Sequence, residues 1–104
     1  MKVYLDDERP TPEGWHRVYT ADEAITLLRA GGVTEISLDH DLGDDQKFGT
    51  GYDVAVFIEE GAFFGNVRPV RWSIHSANPV GRQNMQAALE NANRMWRKGG
   101  YDVC

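Results

Sequence analysis

Acidic side chains and histidines are concentrated in a stretch that begins as an apolar segment. Residues 36–45 read ISLDHDLGDD, in which four aspartates fall within seven positions around one histidine. Carboxylates this close together repel one another, and burying them without a compensating cation is costly. Because they directly follow Ile36 and Leu38, which are typical core residues, the pattern predicts a binding site at the end of a buried segment.

A second pair of carboxylates, Asp6 and Asp7, follows the apolar segment KVYL. Together with Asp39 they would supply the oxygen ligands that Mg²⁺ prefers, and Mn²⁺ accepts the same donors. The alternative is that Asp6 and Asp7 only cap or solvate a strand end. Acidic residues from two separate strands rarely converge without a cation, so we expect a metal site at Asp6, Asp7 and Asp39. Asp44 and Asp45 are interpreted as solvated loop residues.

Two histidines accompany these acids, His40 within LDHDLG and His75 within HSANP. Imidazole titrates near neutral pH, so one histidine can accept a proton from water while the other donates to a leaving oxygen. We take His40, His75 and Asp39 as the catalytic candidates for this acid–base chemistry. The alternative is that each histidine is a hydrogen-bonded structural residue. Asp41 would orient His40 or add to the metal shell.

Four further residues are candidates for binding phosphate or substrate: Arg9, Ser76, Asn78 and Arg82. A guanidinium can bind a phosphate with two parallel hydrogen bonds. The backbone amides at the start of the predicted helix after Asn78 form a second anion site. Two alternatives stay open, namely an ion pair between Arg9 and Glu8 or Asp7, and a purely capping role for Asn78.

The elements that must position these residues alternate along the chain. Apolar periodicity and turn signals predict strands at 2–7, 16–20, 33–39 and 70–76, and helices at 21–30, 51–64 and 79–98. Residues 42–50 are predicted to form a polar loop, and residues 101–104 are a candidate for a short edge strand. Interleaved strands and helices favour a parallel sheet, whose carboxyl ends are where ligands bind. If the first, third and fourth strands are adjacent, the candidate residues converge at that edge.

Length and composition set further bounds. The 104 residues carry a net charge of −5, which predicts one domain over residues 1–104 and argues against a broad basic surface for double-stranded DNA. The one cysteine, Cys104, allows no disulfide within the chain, and no apolar run is long enough for a membrane span. We therefore expect a cytoplasmic protein without a membrane partner; the sequence does not predict its oligomeric state.

Several of these features resemble the receiver domains of response regulators. LDDE at 5–8 resembles their opening acidic pair, Asp39 stands where their phospho-accepting aspartate lies, and Ser76 matches their hydroxyl residue after the fourth strand. The chain departs from that pattern because RPTPEGW replaces most of the first crossover helix. It also has no convincing match to the lysine that follows the fifth strand, and it adds two histidines.

The motifs LDDERPTP, LDHDLG, TGYD and HSANPVGR together are similar to a narrower group, the cyclic-phosphate-processing receiver-like domains of bacteria and bacteriophages. The resemblance implies a receiver-like, flavodoxin-like α/β fold with a parallel sheet of four to five strands flanked by helices, the first crossover helix being reduced or lost. It also implies a role on cyclic phosphates.

Residues and resemblance lead to two functional hypotheses. The first is a phosphoesterase, assisted by Mg²⁺ or Mn²⁺, that hydrolyses the cyclic phosphate of a cyclic nucleotide or of an RNA end. The alternative is a non-catalytic receiver-like module that acts through a protein partner. The paired histidines favour the phosphoesterase, because opening a cyclic phosphodiester can use two proton transfers, one to a base and one from an acid. Trp15, expected near the acidic edge, could stack on a nucleobase.

Overall fold

The structure, a computed structural model, describes residues 1–103. Within this range the chain alternates between strands and helices, and the elements are β1 (Lys2–Leu5), β2 (His16–Val18), α1 (Ala21–Ala30), β3 (Glu35–Leu38), α2 (Asp45–Phe48), α3 (Gly51–Phe64), β4 (Arg71–Ile74) and α4 (Pro79–Lys98). The three longer helices begin and end where the sequence predicts. Each strand is two or three residues shorter than predicted.

Two segments differ from the predicted elements. The loop 42–50 contains the short helix α2, whose N-cap is Asp44 with its carboxylate accepting from the Gln46 amide. Residues 101–103 form no strand, and Cys104, the last residue of the candidate edge strand, lies outside the described residues.

All strand pairs are parallel, and the order across the sheet is β2-β1-β3-β4. This confirms the predicted α/β fold of the receiver type and the adjacency of β1, β3 and β4. Residues 6–15 connect β1 to β2 without a helix, so the first crossover helix is lost. Pro10 and Pro12 in this connection disfavour helical backbone at and before each proline.

The three longer helices lie on one face of the sheet. The crossovers through α1 and α3 run in the same direction across the strands, and right-handed connections then place both helices on the same side. α4 packs against α3 and β4. The side chains that alternate toward this layer are fully buried, namely Val3, Leu5, Ile36 and Leu38. The opposite face carries no helix among the described residues.

Two indole hydrogen bonds fix the last helix to the rest of the fold. Trp96 donates from Nε1 to the carbonyl of Val67 at 3.0 Å, and Trp72 donates from Nε1 to Oδ1 of Asn93 at 3.1 Å. Both rings thereby bury apolar surface while their single polar group is satisfied. Within residues 1–103, no helix combines the length and hydropathy required to cross a bilayer.

Candidate functional site

Three side chains from three neighbouring strands meet at the carboxyl edge of the sheet. The strand ends lie side by side, because Leu5 pairs with Leu38 and Leu38 pairs with Ile74. Asp6, Asp39 and His75 each come directly after one of these strands, and one potential ligand atom from each lies within 4.8 Å of the others. The predicted convergence of these residues is therefore observed.

Asp6 is fully buried and accepts hydrogen bonds at both carboxylate oxygens. Oδ1 accepts from the backbone amides of Glu8 at 2.8 Å and Arg9 at 2.9 Å. Oδ2 lies 3.2 Å from Nη1 of Arg9 and 3.1 Å from Nε2 of His75. Burial raises the pKa of Asp6, but these donors together outweigh it and the pKa is lowered. Asp6 is therefore held in its ionised form.

Asp39 experiences the opposite balance. Its Oδ1 accepts from the backbone amide of His40 at 2.9 Å, and its Oδ2 lies 3.5 Å from Nη1 of Arg9. Burial of this side chain and the negative charge of Asp6 raise its pKa, and the Arg9 guanidinium compensates only in part. Burial and the neighbouring charge of Asp6 thus disfavour the ionised form of Asp39.

Arg9 is the cation that the chain itself supplies. Its guanidinium lies between Asp6 and Asp39, and 44% of its side chain is exposed. Arg17 donates to the Arg9 carbonyl and so anchors the backbone from which the guanidinium extends. Arg9 thus forms ion pairs with Asp6 and Asp39, and not with Glu8 or Asp7 as the alternative interpretation of the sequence had it.

His75 is fixed on three sides. Nε2 faces Asp6, Nδ1 lies 2.7 Å from Oγ of Ser37, and the ring stacks on Tyr4 with centroids 4.4 Å apart and an interplanar angle of 4°. Burial lowers the pKa of His75, although the hydrogen bond with Asp6 opposes this effect. The imidazole is therefore biased toward its neutral form, which is the form that can bind a metal ion.

His40 occupies a different position from His75. Its Nδ1 lies 2.9 Å from Oδ1 of Asp41, and Nδ2 of Asn78 lies 3.4 Å from the other oxygen of Asp41. The His40 ring packs so closely on Gly81 that a Cβ there would come within 2.5 Å of it. No hydrogen bond joins His40 to His75 among residues 1–103. Asp41 orients His40, which is one of the two roles predicted for it.

Three other acidic residues of these motifs, Asp7, Asp44 and Asp45, lie outside the cluster of Asp6, Asp39 and His75. Asp7 lines the cleft in front of the cluster but places no atom in the 4.8 Å group. Asp44 and Asp45 are exposed and start α2.

Ser76, Asn78 and Arg82 shape the turn into α4. Ser76 Oγ accepts from the Asn78 amide at 3.0 Å, and Asn78 caps α4 by accepting from the Gly81 amide at 2.9 Å. Arg82 donates from Nη1 to the carbonyls of Ile74 and Ser76 at 3.3 and 3.1 Å. The polar side chains of all three are thus engaged with backbone groups.

A cleft of about 480 Å³ opens in front of the cluster, lined by Asp6, Asp7, Glu8, Arg9, Asp39, Asp41, Gly43 and Ala77. This volume is within the range of nucleotide-sized ligand sites. The lining carries five carboxylates and one guanidinium. A phosphate would be repelled from such a cleft unless a cation were bound there as well.

Two residues of this arrangement, Tyr4 and Ser37, were not predicted from the sequence. A signal for them exists, since Tyr4 and Ser37 each stand two residues before a site aspartate and side chains two apart share a face of a strand.

The prediction that Trp15 lies near the acidic edge is wrong. Trp15 precedes His16, which pairs with Val3, and so it lies toward the amino ends of the strands. There its ring meets Tyr4 edge-on, with the centroids 6.2 Å apart.

Comparisons with known proteins identify the family of the chain. Neither the curated proteins nor the solved structures contain a match to the chain. The family model described as the cyclic-phosphate processing receiver domain matches residues 1–91. This range includes every residue of the cluster and of the cleft described above. The chain therefore belongs to the family of cyclic-phosphate processing receiver domains.

Proposed function

We propose that this protein hydrolyses a cyclic phosphate, either in a cyclic nucleotide or at an RNA end, with the assistance of a divalent cation held by Asp6, Asp39 and His75. The observation that carries this proposal is the set of three donor atoms within 4.8 Å of one another at the carboxyl edge of the sheet. The family's description as a cyclic-phosphate processing domain supports the class of substrate.

The chemistry of the donors fits a divalent cation. Two carboxylates and a neutral imidazole suit Mn²⁺, whereas Mg²⁺ favours oxygen ligands and retains several waters. With Mg²⁺, the two carboxylates would be the protein ligands and His75 would keep its hydrogen bond to Asp6. Asp7 would add an oxygen at the cleft side of either ion. The raised pKa of Asp39 is what a cation at this position would reverse.

When bound, the cation would neutralise charge on the phosphoryl oxygens and lower the pKa of a coordinated water. In the cleft lining, Arg9 is the protein group that can bind the phosphoryl oxygens directly. A guanidinium released from the carboxylates presents a planar pair of donors to two oxygens of one phosphate. Arg9 would thus exchange one anionic partner for another as substrate enters.

The protein must also move two protons during hydrolysis. The water oxygen forms a bond to phosphorus, one ring P–O bond breaks, and the released ester oxygen takes up a proton. We assign one transfer to His40, which is next to Asp39 in sequence: with Asp41 as the partner of Nδ1, Nε2 is the nitrogen that would exchange a proton. His40 does not itself line the cleft, so its ring would have to reach the substrate from behind Asp41. His75 would perform the other transfer only where it is not a ligand of the cation.

The experiment that tests this proposal is product analysis with a panel of cyclic nucleotides and RNA ending in a 2′,3′-cyclic phosphate, with and without Mg²⁺ or Mn²⁺. We expect a phosphomonoester product that requires the cation. A variant with Asp6→Asn and Asp39→Asn should form none, whereas Asp45→Asn, which removes an exposed carboxylate outside the cleft, should retain the wild-type rate. Cation-independent turnover, or equal rates in all three proteins, would contradict the proposal.

A second candidate is the non-catalytic receiver-like module. Asp39 at the end of β3 favours it, since the family is a receiver family. Against it, the cleft lining contains Arg9 as its cation and no lysine. We therefore expect small phosphodonors with Mg²⁺ to leave Asp39 unmodified. A phospho-aspartate at Asp39, detected by mass spectrometry, would reverse this ranking.

A further inference from the structure

We infer that the Ser37 hydroxyl allows His75 to exchange between its two neutral tautomers, so that the same imidazole donates to Asp6 in the metal-free protein and ligates a cation through Nε2 in the loaded one. The inference rests on the proposed cation site and adds a residue to it. Ser37 is thereby a positioning residue that acts through His75.

The tautomer of the metal-free form follows from the partner of Nε2. This nitrogen lies 3.1 Å from Oδ2 of Asp6, whose other oxygen already accepts two backbone amides. An ionised carboxylate can only accept hydrogen bonds. The hydrogen of a neutral His75 therefore resides on Nε2, and Nδ1 is an acceptor.

Ser37 is the partner that accommodates either state. Its Oγ lies 2.7 Å from Nδ1 of His75. In the metal-free tautomer the hydroxyl donates to Nδ1, and after a rotation about its C–O bond it can accept from Nδ1 instead. A carboxylate or a backbone carbonyl at this position could only accept, and would hold His75 in one tautomer.

Ligation through Nε2 requires the second state. The nitrogen must offer its lone pair to the cation, so the ring hydrogen has to be on Nδ1. One proton leaves Nε2 for water and one is taken up from water at Nδ1, and the ring remains neutral. Histidines that bind metals almost always donate their other N–H to a nearby acceptor, and Ser37 provides that acceptor for His75.

The ring itself is held in place during this exchange. Tyr4, only 8% exposed, stacks on the imidazole and fixes its plane. Rotation of the ring by 180° within this plane would turn carbon atoms toward Ser37 and Asp6 and break both hydrogen bonds. Relocation of one hydrogen is thus the change that this geometry permits.

The chain offers a matched set of variants. Ser37→Ala removes the hydroxyl and Ser37→Thr keeps it. Ser73 pairs with Ser37 in register on the neighbouring strand and is exposed, so Ser73→Ala removes a hydroxyl from the same face of the sheet and leaves both hydrogen bonds of the His75 ring in place.

The test is the imidazole ¹⁵N spectrum of the full chain, recorded metal-free and with Zn²⁺, a d¹⁰ ion that readily takes imidazole ligands. We expect His75 to carry its hydrogen on Nε2 without metal and on Nδ1 with Zn²⁺. Ser37→Ala should bind Zn²⁺ about 10–100-fold more weakly, as is usual when the partner of a metal-bound histidine is lost. Ser37→Thr and Ser73→Ala should bind as the wild type does.

The backbone amide signals of Asp6 and Asp39 separate this inference from the proposed site. If they shift with Zn²⁺ while the His75 tautomer does not change, the inference is overturned and the cation site remains. If neither the amide signals nor the His75 tautomer changes with Zn²⁺, both the inference and the proposed cation site are overturned. Hydrogen on Nδ1 in the metal-free protein, or unchanged Zn²⁺ affinity in a folded Ser37→Ala variant, would also overturn the inference.

Discussion

Asp6 and Asp39 are neighbours at one edge of the sheet, yet their surroundings act on the two carboxylates in opposite directions. Burial penalises the charge of both. Two backbone amides and the side chains of Arg9 and His75 overcome this penalty at Asp6 and lower its pKa. At Asp39 burial and the charge of Asp6 prevail, so the pKa is raised. The charge of Asp6 thus stabilises the metal-free fold, whereas the charge of Asp39 destabilises it.

This difference predicts opposite effects of the same substitution in the metal-free protein at pH 7. Asp6→Asn should lower the free energy of unfolding by about 1.5–3 kcal/mol, because it removes hydrogen bonds to a charged group. Asp39→Asn should raise the melting temperature by about 4 °C or more, which corresponds to about 1 kcal/mol in a domain of this size. Thermal unfolding in the presence of a chelator measures both.

The pH dependence supplies the control for Asp39. Its pKa in the folded state is above the ordinary 3.8, so ionisation destabilises the fold as the pH rises through the folded value. Below 3.8 the group is protonated in both states, and the advantage of Asp39→Asn should vanish. A change of the same sign for both variants at pH 7 would contradict the assignment.

Substitution of His40 and substitution of His75 should have different effects on turnover and on cation binding. His40→Ala should reduce turnover by roughly 10²–10⁴-fold, as expected for a residue that transfers a proton, and leave cation binding intact. His75→Ala should reduce turnover and weaken cation binding together. Turnover and cation-dependent unfolding measured on the same preparations distinguish the two, and full activity of either folded variant would exclude that histidine from the mechanism.

The convergence of Asp6, Asp39 and His75 could be predicted because each lies just after a strand and the carboxyl ends of parallel strands share an edge. The separation of His40 from His75 could not. His40 is adjacent to Asp39 in sequence, but its side chain is directed by contacts with Asp41 and Gly81. Side-chain direction outside a strand is set by packing, which spacing along the chain does not reveal.

At the scale of elements, the start of α3 holds the Asp39–His40 backbone in position. The Gly51 amide donates to the His40 carbonyl at 3.0 Å. A Cβ at Gly51 would lie 2.0 Å from the carbonyl oxygen of Asp39 and 2.8 Å from Sδ of Met85. Thr50 caps the helix with its side chain, and Asp53 completes the capping box. The TGYD motif thus serves to bring a helix start against the site.

Gly51→Ala should therefore damage both fold and site. Overpacking of this kind costs about 1–3 kcal/mol, and here the obstructing atom is backbone, which must move with Asp39. We expect a lower melting temperature and a smaller stabilisation by Mn²⁺. Gly99→Ala is the matched control, because its φ is −79° and its Cβ would have ordinary contacts. Equal behaviour of the two variants would contradict this account.

The starts of α1, α3 and α4 were predictable because a polar capping residue precedes each helix. Thr20, Thr50 and Asn78 each accept a backbone N–H of the first turn. The short helix α2 could not be predicted, because four residues are too few to show an apolar period. Asp44, read as a solvated loop residue, turned out to be its cap.

At the scale of the whole molecule, the site depends on a sheet whose three longer helices all lie on one face. Because residues 6–15 form no crossover helix, the face opposite the helices is free to carry Tyr4, Ser37 and His75 beside one another. These residues orient the imidazole at the edge where Asp6 and Asp39 end their strands. The reduced fold therefore provides a surface for supporting the site that a helix would otherwise cover.

The cluster also links the carboxyl ends of three strands, so its occupancy should affect the stability of the entire fold. A ligand that binds only the folded state at 100 times its dissociation constant adds about 2.7 kcal/mol, or about 10 °C or more in melting temperature for a domain of this size. We expect such a rise with Mn²⁺ or Mg²⁺. Because the chain carries a net charge of −5, salt alone also screens repulsion.

Each cation titration therefore needs a control with sodium chloride at equal ionic strength. The rise caused by Mn²⁺ should exceed that of sodium chloride in the wild type and in Asp45→Asn. It should equal that of sodium chloride in the variant with Asp6→Asn and Asp39→Asn, because the two carboxylates that hold the ion are gone. A wild-type melting curve that follows ionic strength alone across millimolar Mn²⁺ and Mg²⁺ would mean that Arg9 is the only cation these carboxylates bind.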